Sequence, residues 1–135
     1  MTTPGTITQL MRLSKMVHRA APESVLGMTL RQFWVLSVLA SNDGWRPQHV
    51  LGAQLLVDAN NLVLLLNELE DAGWVQRERD AQDRRRHIVV LTDAGRVAFE
   101  RAERAQNAAE EEVLAALEPQ EREQLRGLLD KALQG

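Results

Sequence analysis

The chain has 135 residues, of which 44% are hydrophobic, and this is enough for one compact domain with a core. It contains no cysteine, so disulfides, thiolate metal sites and cysteine-based redox sensing are excluded. The formal net charge is -3, yet residues 77–86 hold five arginines while residues 100–123 hold eight acidic side chains. A negative total therefore does not argue against a polyanionic partner.

The longest apolar runs, residues 62–66 and 113–117, are far shorter than the roughly 20 residues of a membrane-spanning helix. The N-terminus lacks a basic segment followed by an apolar one, as a secretory signal would have. We therefore expect a soluble cytoplasmic protein with no membrane partner.

The first two predicted helices lie in the N-terminal third. Apolar residues recur at spacings of three and four over residues 6–21, and Pro22 ends this first helix. Thr29 and Gln32 form a capping box for a second helix over residues 30–40. The residues expected on its inner face are Phe33, Leu36 and Ala40, with Leu39 at the margin and Ser37 tolerated within it.

A third, short helix is expected to begin at Pro47 and to continue to about Val57. Asp58 is a suitable N-cap for a fourth helix, which ends at Gly73. Gly52 would permit the two helices to cross closely, and the very short turn between them is typical of a helix-turn-helix.

The arginine-rich segment follows the fourth helix. Strands are predicted over residues 74–77 and 87–91, with residues 80–83 as the turn between them. A basic hairpin of this kind fits a nucleic-acid groove. The alternative is a solvated hairpin of Arg/Asp pairs without a partner. Helix, helix and basic hairpin in this order indicate a winged helix-turn-helix.

Two more helices complete the chain. Thr92 caps a fifth helix that runs to about Leu117, and Glu118-Pro119 separates it from a sixth helix through Ala132. Both carry apolar stripes, and the first helix is too short to cover them entirely. A two-fold homodimer through the chain ends would cover them, and the alternative is an intrachain bundle of the first, fifth and sixth helices.

The predicted fold class is therefore mainly α, with a single domain over residues 1–135. Residues 29–95 form a winged helix-turn-helix lobe, and residues 6–21 and 93–133 form a helical dimerisation region.

Four segments together resemble the MarR family of bacterial transcriptional regulators. They are Leu30-Arg31-Gln32-Phe33-Trp34-Val35-Leu36, Leu69-Glu70-Asp71-Ala72-Gly73-Trp74-Val75, Asp83-Arg84-Arg85, and Leu91-Thr92-Asp93-Ala94-Gly95. The resemblance implies an obligate dimer that binds a palindromic operator in double-stranded DNA and is commonly released by small aromatic or phenolic acids.

The resemblance also implies that Arg85 enters the minor groove and that Asp83 holds it in position. A guanidinium group oriented by a carboxylate keeps its rotamer and directs its charge into the negative, narrow groove of A·T-rich DNA. The other arginines of the hairpin can then reach phosphates, although not all of them need to do so. These are Arg77, Arg79, Arg84 and Arg86.

The fourth helix should lie in the major groove. The residues expected to face outward from it are Asn60, Asn61, Val63, Leu64 and Asn67. Asparagine can pair with adenine, and an apolar side chain can contact a thymine methyl group. The commonest family pattern has threonine or serine at Val63 and often arginine at Leu64. The alternative is that these two residues belong to the core.

The candidate residues for an effector cleft are Met11, His18, Arg31 and Trp34. A histidine beside an apolar stripe is more often a surface residue than a ligand contact. We expect no enzyme, no cofactor and no metal, because the three histidines lie in different elements without ligand spacing and no serine lies in a nucleophile motif. The rival function is a winged-helix protein-interaction module that no longer binds DNA.

Overall fold

The computed structural model describes residues 2–135, which form a mainly helical winged helix-turn-helix fold, as the sequence predicts. These residues include three short strands, one more than the sequence predicts. The elements are α1 (Thr6–Ala20), α2 (Glu23–Leu26), α3 (Leu30–Ala40), β1 (Trp45–Pro47), α4 (Gln48–Leu55), α5 (Ala59–Asp71), β2 (Val75–Arg79), β3 (His87–Leu91), α6 (Asp93–Val113) and α7 (Pro119–Gln134). The described residues separate into two compact units, Pro22–Ala105 and residues 2–21 with Gln106–Gly135.

Capping side chains set the helix starts where the sequence predicts them. Thr29 Oγ1 accepts from the backbone N–H of Gln32 at 3.1 Å, and the Gln32 side chain accepts from the N–H of Thr29 at 3.0 Å. Asp58 Oδ1 accepts from the N–H of Asn61 at 2.8 Å. Thr92 Oγ1 accepts from the N–H of Gly95 at 3.0 Å. These bonds satisfy N–H groups that lack a partner in the first helical turn.

The core of the unit Pro22–Ala105 surrounds α3. Phe33 of α3 stacks on Phe99 of α6 with ring centroids 5.5 Å apart. Leu39 is fully buried, so its predicted place at the margin is wrong; Val35 is also fully buried, while Ala40 is only half-buried. The reason is that α3 packs against α4 and α5 and also against β1 and β3, so its buried face is wider than one stripe.

Strand β1 and the short helix α2 are not among the predicted elements. β1 pairs antiparallel with β3, opposite β2, and the sheet order is β1-β3-β2. Pro47 is the last residue of β1 and the N-cap of α4, rather than the first residue of a helix. A three-residue strand is too short to show alternation, and proline is compatible with an edge strand. β2 extends to Arg79, two residues beyond the predicted strand.

The turn between α4 and α5 contains a left-handed leucine. α4 ends at Leu55, not at about Val57, and Leu56 has φ 55° and ψ 41° with 87% of its surface exposed. A leucine in the left-handed conformation destabilises the folded state by about 1–2 kcal/mol. A glycine avoids this cost, but it loses more backbone entropy on folding, which costs about 0.5–1 kcal/mol. We expect Leu56→Gly to raise the free energy of unfolding by about 0.5 kcal/mol in urea denaturation.

Leu64→Gly is the matched control for Leu56→Gly, because Leu64 is also exposed but lies inside helix α5. There the glycine should destabilise the protein by about 1 kcal/mol. If Leu56→Gly lowered the urea midpoint as much as Leu64→Gly does, the backbone at residue 56 would not be strained.

The other unit leaves many apolar side chains exposed. α1 has no buried residue, and Ile7 and Met11 are 69% and 62% exposed. α6 ends at Val113 rather than at about Leu117, and α7 begins after Glu118, whose side chain forms a capping box with Glu121. In α7, Leu128, Leu129 and Leu133 are also exposed. Several large apolar side chains of α1 and α7 are therefore exposed to solvent.

Candidate nucleic-acid interface

Helix α5 buries one stripe and exposes the opposite face. The buried residues are Leu62, Leu65, Leu66 and Leu69, and the five residues predicted to face outward are exposed: Asn60, Asn61, Val63, Leu64 and Asn67. Val63 and Leu64 are 39% and 62% exposed. They are therefore not part of the buried core, and the outward face of α5 combines amide and apolar groups with no charge at these five positions.

Two of the three outward asparagines already have hydrogen-bond partners. The Asn61 amide donates to Asp58 Oδ2 at 2.8 Å, which reinforces the N-cap of α5. The Asn67 carbonyl oxygen accepts from Arg77 Nη2 at 2.6 Å. Among the described residues, Asn60 makes no side-chain hydrogen bond. An asparagine must present both its donor and its acceptor to pair bidentately with adenine, so Asn60 is best placed for that contact.

Gly52 permits the close approach of α4 and α5. A Cβ atom at this position would lie 3.1 Å from Leu62 Cδ2 and 3.5 Å from the carbonyl oxygen of Val57. The leucine would have to move, because few Cβ contacts in proteins are this short. The absence of a side chain at Gly52 therefore allows α4 and α5 to pack closely, as the sequence predicts.

The hairpin β2–β3 is the wing, and residues 80–86 are its tip. Asp83 Oδ1 accepts from the backbone N–H of Arg85 at 3.1 Å and from its Nε at 3.3 Å. Arg86 Nε lies 3.5 Å from Asp83 Oδ2. Arg79 Nη1 donates to the carbonyl oxygen of Arg84 at 2.7 Å. The carboxylate thus braces two arginines and a third stabilises the backbone of the tip, while 92% of the Arg85 side chain remains exposed.

Arg77 differs from the other wing arginines because it binds α5. Its Nη2 lies 2.8 Å from Glu70 Oε1, and its backbone N–H donates to Glu70 Oε2 at 3.2 Å. The Nε and Nη2 groups of Arg77 are thus engaged by Glu70 and Asn67.

A cleft of about 560 Å³ lies between α4, α5 and the wing. Gly52, Leu62 and Val63 contribute apolar floor, and no carboxylate lines it. The basic residues that line it are His49, Arg85, Arg86 and His87. The electrostatics of this cleft favour an anion such as a phosphodiester backbone. His49 and His87 form no pattern in the sequence, because they are far apart along the chain and only the fold brings them beside the arginines.

The pKa of Glu70 lies below its ordinary value of 4.5, mainly because the Arg77 side chain donates hydrogen bonds to it and secondly because the Arg77 backbone does. A depressed pKa in the folded state stabilises the fold above the pKa of the unfolded chain, and this contribution is lost as the pH falls through the folded value. We therefore expect the difference in free energy of unfolding between wild type and Glu70→Gln to shrink below a pH of about 4.5.

Urea unfolding at a series of pH values measures this difference. Glu78→Gln, a change of the same charge at an exposed position of β2, is the control. A difference for Glu70→Gln that stays constant into strongly acidic solution would contradict the lowered pKa.

The four residues predicted to line an effector cleft belong to different units. Met11 and His18 lie on α1 in one unit, and Arg31 and Trp34 lie on α3 in the other. All four are exposed. Their joint participation in a ligand site stays a prediction.

Within residues 2–135, no group of three or more histidine, aspartate or glutamate side chains could hold a metal ion. No single helix among these residues is long and apolar enough to cross a membrane; α4 and α5 would reach that length only together, and they meet at 106°.

A sequence profile described as the MarR family matches residues 26–86. The chain is 32% identical over 112 residues to an HTH-type transcriptional repressor from Mycobacterium tuberculosis, covering 83% of this chain and 80% of that protein. The chain belongs to the MarR family of transcriptional regulators. It is also 33% identical over 105 residues to a Thauera aromatica protein named for regulation of the hcr operon, covering 78% of this chain.

The chain spans 63% of the length of that Thauera protein and 35% of a regulator from Methylorubrum extorquens. Among solved structures, a mutant of MarR from E. coli in complex with operator DNA is 28% identical with a TM-score of 0.71, and 94% of this chain covers 95% of that one. The Mycobacterium, Thauera and Methylorubrum proteins are all named as regulators or repressors of transcription.

Proposed function

We propose that the chain acts as a homodimeric repressor that binds a palindromic operator, with α5 in the major groove and the wing tip in the minor groove. The observation that supports this most directly is Arg85, held by Asp83 and 92% exposed, in the same compact unit as the outward face of α5. The operator complex of the related E. coli protein supports the DNA partner.

The homodimer rests on the exposed apolar side chains of α1 and α7. A second copy that packs against them would remove this surface from water and would place two DNA-reading lobes under one two-fold axis. Half-sites would then lie about 10 bp apart or a multiple of that. A small aromatic acid as the releasing effector is part of the proposal, with Arg31 as a cation for its carboxylate and Trp34 as its aromatic wall.

The test is selection of bound sequences from random duplexes, combined with measurement of the mass in solution. A two-fold symmetric consensus and a dimeric mass support the proposal. If Arg84, Arg85 and Arg86 of each subunit neutralise phosphates, a dimer makes about six such contacts, and doubling the salt should weaken binding roughly 40-fold. A monomer, or a protein that retains no duplex at low salt, contradicts it.

The apolar part of the outward face of α5 gives a specific prediction for the operator. Val63 and Leu64 would contact thymine methyl groups, which lie in the major groove. Replacing one contacted thymine with uracil should weaken binding about 4-fold, because a buried methyl group contributes about 0.8 kcal/mol. The same replacement outside the selected consensus is the control. Equal affinity for both duplexes would show that these side chains read no methyl group.

The exposure of Val63 and Leu64 also favours a second candidate, a winged-helix module that binds a protein. The arginines of the wing tip argue against it. A stable complex with a protein from the cell, together with failure of the random-duplex selection, would favour this second function.

A further inference from the structure

Arg77 is the most enclosed of the ion-paired wing arginines, with 23% of its side chain exposed. Its guanidinium group reaches across from β2 to α5, where Nε and Nη2 lie 3.3 Å and 2.8 Å from Glu70 Oε1. Nη2 also lies 2.6 Å from Asn67 Oδ1. One side chain of the wing therefore binds two successive turns of the helix that faces the major groove.

The same carboxylate binds the backbone of the wing. β2 is an edge strand that pairs only with β3 in the sheet, and the N–H of Arg77 points to Glu70 Oε2 at 3.2 Å instead of to a neighbouring strand. Glu70 thus accepts from both the main chain and the side chain of one residue. A planar guanidinium that donates through several N–H groups fixes orientation as well as distance.

We infer that Glu70 and Arg77 form a latch that sets the angle between α5 and the wing, with Arg77 as a positioning residue rather than a phosphate contact. This inference rests on the proposed function. Specific binding requires α5 and the wing tip to occupy two grooves at once, and a fixed angle lowers the ordering cost of binding. Arg77 also occupies the side-chain oxygen of Asn67, so contacts with the bases would come from the other outward residues of α5.

For the removal of the Glu70 charge, electrostatics alone and the latch predict opposite changes in DNA affinity. Glu70 is a negative group in the lobe that faces DNA, so its removal should strengthen binding to any duplex by electrostatics. If Glu70 is a latch, its removal should weaken binding to the operator, because the wing is no longer held in place.

The experiment measures the affinity of the full chain for two duplexes, one recovered by the random selection and one of the same composition with a scrambled sequence. The variants are Glu70→Gln, Arg77→Gln, Arg77→Lys and the double variant. Glu78→Gln on β2 removes the same charge without touching the latch and is the matched control. Thermal unfolding gives the range in which every variant is folded, and titrations are done below it.

We expect Glu70→Gln and Arg77→Lys each to weaken binding to the selected duplex about 10-fold and binding to the scrambled duplex less than 2-fold. The double variant should lose no more than either single one, since both break the same contact. Glu78→Gln should bind as well as wild type or more tightly. The slope of affinity against salt should be unchanged in Arg77→Gln, because no phosphate contact is lost.

Two results would overturn the latch while leaving the proposed function intact. One is wild-type or tighter binding of Glu70→Gln to the selected duplex. The other is a salt slope reduced by about 1 per subunit in Arg77→Gln, which would make Arg77 a phosphate contact. Failure of the wild-type protein to bind any duplex would instead contradict the proposed function itself.

Discussion

Arg85→Ala is expected to weaken operator binding by about 100-fold or more without changing the stability of the fold. Each minor-groove arginine contributes about 1–3 kcal/mol, and a two-fold dimer loses two of them. Stability should not change, because 92% of the side chain is exposed and its contacts are confined to Asp83. The salt slope should also fall by about 2. Electrophoretic mobility titration at several salt concentrations and thermal unfolding measure these quantities.

Arg101→Ala is the matched control, because it removes the same charge from an exposed position on α6. It should change operator affinity only slightly. Asp83→Ala should weaken binding although it removes a negative charge, because Arg85 and Arg86 lose their brace. Wild-type affinity for Arg85→Ala would mean that the wing tip does not enter the groove.

Local signals explain why much of the fold could be predicted from the sequence. Thr29, Asp58 and Thr92 begin their helices as predicted, because a side-chain cap depends on residues only two or three positions away. The prediction of a strand over His87–Leu91 is confirmed, since its β-branched residues follow a turn that contains two aspartates. The exposed face of α5 follows directly from helical periodicity.

Features that depend on contacts between residues far apart in the sequence could not be predicted. β1 exists because Trp45 and Arg46 pair with Val90 and Val89, and no local pattern indicates a strand of three residues. In the site, periodicity places Asn67 outward but says nothing of Arg77, ten residues later, which occupies its acceptor. The exposure of a residue could thus be predicted, while its availability to a ligand depended on tertiary structure.

Gly95→Ala is expected to be the most destabilising small substitution at a glycine. A Cβ atom at Gly95 would lie 2.0 Å from the carbonyl oxygen of Trp74 and 2.9 Å from its carbonyl carbon. Both are backbone atoms, so the first turn of α6 would have to move away from the turn before β2. That turn is also bound by Thr92, whose N–H donates to the carbonyl oxygen of Trp74 at 3.1 Å.

The expected loss for Gly95→Ala is about 2 kcal/mol or more, which would lower the melting temperature by roughly 5–10 °C. Gly127→Ala is the matched control, because Gly127 lies in helix α7 and, apart from its chain neighbours and the adjacent helix backbone, no atom lies within 4 Å of its added Cβ. There alanine should stabilise the protein by about 1 kcal/mol through helix propensity. If Gly95→Ala also stabilised the protein by about 1 kcal/mol, α6 would not press on the backbone of Trp74. If Gly95→Ala destabilises the protein while Gly127→Ala stabilises it, the difference is due to the contact with Trp74.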